Sequence, residues 1–226
     1  MQTKTLPANM SKYFIIIAPA LVMIFIRLKP FDLILRTFYT LIHELSHALT
    51  AKIFSQKVQK IMLNRDFSGV CVTKVSCKKA LFFISLAGYT LSSAAGWGLI
   101  CLIGTTFTSA VFYSLIFICI ISVIFFIGNT FGRVWCISFA AANLIFVTVP
   151  FFKPYYGHII YIYACILLID NILSTLTLLY ISLIKPNKAG DAAMLKKTTK
   201  IPAVFWSMFF VLFAAAMLIL SIKSLA

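Results

Sequence analysis

The chain has 226 residues, of which 62% are hydrophobic and 11% charged. A soluble domain is normally about 45–50% apolar and about a quarter charged, so a water-soluble globule is excluded, and disorder with it. The formal charge is +15, from 20 Lys and Arg against 5 Asp and Glu. In a soluble protein that excess would suggest nucleic acid. With long continuous apolar runs it reads instead as membrane orientation, and no nucleic-acid partner is expected. The runs are also too long for the short alternating strands of a β-barrel. The fold class is an all-α polytopic membrane protein in a lipid bilayer, a single integral membrane domain over residues 1–226.

The first apolar stretch, 13–28, follows Lys4 and Lys12. Arg27, Lys29 and Pro30 end it, with no small-residue cleavage site, so it reads as a retained span rather than a signal peptide. Further spans are expected at 31–54, 80–104, 108–127, 134–150, 158–184 and 201–222. At roughly 20 residues each, that makes about seven transmembrane helices. Pro150 and Pro154 interrupt the chain before the sixth, Pro186 marks its exit, and Pro202 opens the last. Between the second and third spans, Val58–Leu63 and Val70–Ser76 are rich in β-formers and flank the turn-like stretch Asn64–Gly69. A β-hairpin over 58–76 is expected there. With the N-terminus cytoplasmic, fifteen basic residues fall on the inner side and five outside, with the largest groups in loops 52–79 and 185–200. Basic residues gather on the cytoplasmic side, so this orientation is the expected one.

The second span contains His43-Glu44-Leu45-Ser46-His47. Residues i and i+4 share a helix face, so both imidazoles can hold one metal ion. Glu44 stands beside them, placed to take a proton from water. Two of the 3 His and the sole Glu of the chain fall within these five positions. Ionisable groups inside a span are costly and mark functional sites. Of the six cysteines, Cys101, Cys119, Cys136 and Cys165 lie in apolar spans, and Cys71 and Cys77 fit no zinc spacing.

Zinc needs a third protein ligand. Asp32, Asp66, His158, Asp170 and Asp191 are the candidates. Counted from the starts of their spans, His43 and Asp170 both lie about 18 Å deep, which favours Asp170. Asp191 is second, since it lies past Pro186 and needs a re-entrant path.

The stretch Leu41-Ile-His-Glu-Leu-Ser-His-Ala-Leu-Thr-Ala51 resembles the active-site helix of the site-2 protease family of intramembrane zinc metallopeptidases. Ser68-Gly-Val70, Leu86-Ala-Gly-Tyr89, Gly190-Asp-Ala-Ala-Met-Leu195 and Ile201-Pro202 resemble a bacterial branch of it. The resemblance implies one zinc ion per chain on His43 and His47, with Glu44 as general base. It implies a transmembrane protein substrate, a hairpin dipping beside the active site with a strand edge for that substrate, and a bacterial inner membrane. In that family the third ligand usually stands as Asp-Gly in an Asn-Pro-containing helix, whereas Asp170 precedes Asn171. The alternative is a non-proteolytic membrane protein: a proton or metal transporter, or an inactive protease-like scaffold.

Overall fold

A computed structural model describes residues 10–225. Lys4, counted above for orientation, lies outside them. The elements run α1 (Lys12–Phe25), α2 (Phe31–Ile53), β1 (Lys57–Leu63), β2 (Gly69–Lys74), α3 (Lys78–Leu102), α4 (Thr108–Phe125), α5 (Thr130–Thr148), α6 (Tyr156–Ile184), α7 (Gly190–Thr199) and α8 (Ala203–Leu225). The expected helical membrane architecture and its hairpin are both present.

Among the described residues, five helices, α3, α4, α5, α6 and α8, are long and apolar enough to cross a membrane. Two of the seven expected spans fall short, for different reasons. Helix α1 is apolar but only 14 residues long. Helix α2 has 23 residues, yet it carries Asp32, Arg36, His43, Glu44, His47 and Lys52. Exposed Phe117 and Phe125 on α4, and Phe205 and Leu212 on α8, give the bundle an apolar outer surface. Water would not support such a surface, and lipid does.

Helix α6 is the most enclosed, packing on α1, α2, α3 and α8. Small residues let its neighbours approach. On α3, Gly88, Ser92, Ser93 and Gly96 are all buried. A Cβ on Gly96 would come within 2.9 Å of Leu168 Cγ on α6. Close backbone approach through small residues is how helices pack where lipid removes the hydrophobic drive. Asn171 of α6 donates to Tyr89 O at 2.9 Å and Ser92 Oγ at 2.7 Å, which pins α6 to α3.

The segment 185–200, expected as a cytoplasmic loop, is structured. Pro186–Lys188 forms a short 3-10 turn, and Gly190 takes φ +39. Glycine adopts positive φ at little cost. The chain thereby turns into α7, whose Ala192, Ala193 and Leu195 are buried with Leu178, Ala203 and Phe210.

The hairpin is antiparallel, with Ile61 opposite Cys71 and Leu63 opposite Gly69. The outer edge of β1 is occupied by the α4–α5 connection. Ile61 N donates to Phe126 O at 2.7 Å, and Gly128 N donates to Ile61 O at 2.8 Å. Asn129 then serves both backbone groups of Leu63, its Nδ2 donating at 2.6 Å and its Oδ1 accepting at 3.2 Å. Leu63 is fully buried, so losing these partners leaves polar groups unsatisfied. Asn129→Ala should therefore cost about 1–3 kcal/mol of local stability. Faster hydrogen exchange confined to residues 60–63 and 127–129 is the expected readout, with α6 unchanged.

Candidate metal centre

Helical spacing puts His43 and His47 on one face of α2, with their Nε2 atoms 3.1 Å apart. The first residues of α7 bring in Asp191. Its Oδ2 lies 3.5 Å from His43 Nε2 and 3.3 Å from His47 Nε2. One ligand atom from each of the three residues falls within 4.8 Å of the others. His47 Nδ1 is 2.7 Å from Ile84 O. A carbonyl only accepts, so Nδ1 carries a hydrogen and Nε2 is the ring nitrogen that faces the cluster. Burial pushes the Asp191 carboxyl up, but the two neighbouring imidazoles outweigh it and hold it below the usual carboxylate range.

Glycines allow this packing. A Cβ on Gly88 would come 2.5 Å from His47 Nε2 and 2.6 Å from His43 Cε1. A Cβ on Gly69 would come 2.6 Å from both Glu44 Oε1 and Thr40 Cγ2. Helix α3 and strand β2 thus lie flush against adjacent faces of the α2 motif. His43, Glu44, His47 and Asp191 line a cavity of about 430 Å³ together with Gly69, Cys71 and Thr73. The backbone of β2 faces the same space. Ile61 and Leu63 turn their N–H and C=O groups away from β2, toward the α4–α5 connection. In an antiparallel ladder their partners Cys71 and Gly69 then turn theirs away from β1 as well, toward the cavity.

A family model described as Peptidase M50B-like matches residues 15–221, from α1 to α8. The chain belongs to this family. Membership places it among the site-2 proteases, and M50 proteins are zinc metalloproteases. Searches of curated proteins and of solved structures returned no match. The cluster fits what the M50 family implies. Two nitrogens and a carboxylate oxygen are a zinc donor set that leaves a fourth position open. Donors on one tetrahedral ion with bonds of about 2.0–2.1 Å sit roughly 3.3 Å apart, close to the spacings found here.

The expected third ligand is corrected by this geometry. Asp170 is buried on α6, but its carboxylate meets Arg36, whose Nε lies 3.3 Å and 3.4 Å from the two oxygens. Arg36 precedes His43 by seven residues, about 10 Å along the helix axis. The depth count failed because it took the two helices to start at one level: Asp170 stands 14 residues into α6 yet meets Arg36, 5 residues into α2. The outer end of α6 is therefore not level with that of α2. The other candidates sit elsewhere. Asp32 accepts from Leu33 N in the first turn of α2, Asp66 accepts from Ser68 in the hairpin turn, and the His158 ring contacts Phe14. Pro186 ends α6 and Gly190 permits the reversal, which together make the re-entrant path.

Two glycines of α3 provide a matched test. Gly98 has open space where its Cβ would stand. Gly88→Ala should weaken zinc binding at least about tenfold, the usual scale for disturbing how ligands are held. Gly98→Ala should leave it unchanged. Competition with a chromogenic chelator measures both.

Proposed function

We propose that this M50B-like chain is a zinc-dependent intramembrane endopeptidase acting on membrane-spanning protein substrates. The observation that carries the reading is one cavity lined by the three ligand residues, by Glu44 and by the β2 edge that faces away from β1. His43, His47 and Asp191 would hold the ion. Zinc supplies Lewis acidity, which acidifies water and polarises a carbonyl.

The remaining steps belong to the chain's own residues. Glu44 accepts a proton from water, whose oxygen bonds to the scissile carbonyl carbon. As the C–N bond breaks, Glu44 passes that proton to the departing amine. A helical substrate shields its carbonyls in its own hydrogen bonds and must unwind locally. The outward groups of Gly69 and Cys71 would then pair with the extended segment as an added strand. The edge that the α4–α5 connection covers is that of β1, and the edge beside Glu44 is that of β2.

The orientation proposed with this reading has the N-terminus cytoplasmic, in a bacterial inner membrane. Its support is the crowding of basic residues around the hairpin and α7. Zinc-loaded protein reconstituted with a bacterial membrane-protein extract should generate new peptide termini within apolar spans. These should disappear with Glu44→Gln, a change that retains zinc because Glu44 is a base and not a ligand. N-terminal labelling and mass spectrometry read both proteins. Termini that survive Glu44→Gln, or no termini in either sample, would refute the peptidase reading and favour a transporter or scaffold.

A further inference from the structure

The Arg36–Asp170 pair has no part in the cluster above, yet it occupies a second cavity that abuts the first. Phe67, Ser68, Tyr89 and Ser174 line both. The guanidinium held by Asp170 lies over the Phe67 ring, with Cζ 4.6 Å from its centroid. Phe67 has φ +68. A bulky side chain in the left-handed region is an outlier that persists only where surroundings enforce it.

The surroundings are specific. Thr40 Oγ1 lies 2.9 Å from Phe67 O and 3.0 Å from Arg36 O. Phe67 N donates to Asn64 O at 3.1 Å, and Ser68 Oγ donates to Asp66 Oδ1 at 2.6 Å. Two residues beyond Phe67 the chain reaches Gly69, the point where β2 meets Glu44. One line of contacts therefore runs from Asp170 on α6, through Arg36 on α2 and the Phe67 ring, to the strand edge over the catalytic carboxylate.

We propose that Asp170 and Arg36 are positioning residues that clamp the hairpin through the Phe67 ring and so set where the β2 edge stands relative to Glu44. Asp170 holds the guanidinium flat, and the guanidinium holds the ring by a cation–π contact and stacking. The ring pins a turn that its own backbone preference would release. The pair thus fixes the substrate edge without touching the metal. The catalytic consequence rests on the peptidase reading; the clamp itself does not.

Hydrogen exchange on the full zinc-loaded chain tests this, with zinc stoichiometry measured on the same samples. Asp170→Asn should raise exchange in residues 66–74 at least about tenfold, a shift of the size that coupled contacts give. Exchange in α3 and α6 and one zinc per chain should be retained. Phe67→Gly discriminates most sharply. Glycine suits φ +68, so a role in turn formation alone predicts a tighter hairpin. The clamp predicts a looser one, with Phe67→Tyr restoring wild-type exchange and Phe67→Leu failing to. Adding Asp170→Asn to Phe67→Gly should change little further, because both act through one contact. A tighter hairpin in Phe67→Gly, equal behaviour of the Tyr and Leu variants, or loosening spread evenly through α3 and α6 would overturn the proposal. If the hairpin responds as expected but Glu44-dependent termini are absent, the clamp stands and the peptidase reading fails.

Discussion

A carboxylate among apolar helices is tolerable only beside a partner that offsets its lost hydration. That constraint organises this molecule. Asp170 on α6 is buried and Asp191 at the start of α7 is half-buried, and each has found a different solution. Asp170 meets a guanidinium, which is always charged and forms a fixed pair. Asp191 meets two imidazoles, whose Nε2 atoms and its own oxygen converge on one point. The first arrangement is an ion pair between α2 and α6. The second is a donor set that a metal ion would complete, as the proposed function requires.

Backbone accounting supplies the second half of the account. A two-stranded hairpin has two edges, and each edge needs partners wherever water is scarce. The α4–α5 connection satisfies β1 with two backbone groups, Phe126 O and Gly128 N, and the Asn129 amide. Gly69 lets β2 lie against Glu44 closely enough that the remaining edge opens into the cavity. The same absence of side chains at Gly88 lets α3 pack directly on the imidazoles. Two missing Cβ atoms thus decide how near the strand edge, the base and the ligand set can come.

Much of this was legible in the sequence. Composition and apolar runs identified the membrane class, and β-rich flanks around Asn64–Gly69 identified the hairpin. The i, i+4 histidines with an adjacent Glu identified the motif, because helix geometry alone brings them together. Two things were not legible. The level of Asp170 depended on where α6 begins and how it lies against α2, which no count along the chain supplies. The segment 185–200 is basic and polar, so it reads as solvent-facing. Only the reversal at Gly190 and the burial of Ala192, Ala193 and Leu195 carry Asp191 back to the histidines. The role of Phe67 was equally hidden, since an aromatic ring in a turn carries no mark of the guanidinium beneath it.

The central claim is that His43, His47 and Asp191 share one ion. X-ray absorption at the zinc edge tests it directly. In Asp191→Cys, a sulfur should enter the first shell at about 2.3 Å, replacing a light scatterer. In Asp170→Cys, the shell should keep the wild-type set of nitrogen and oxygen neighbours. A sulfur neighbour in Asp170→Cys, with none in Asp191→Cys, would contradict the account.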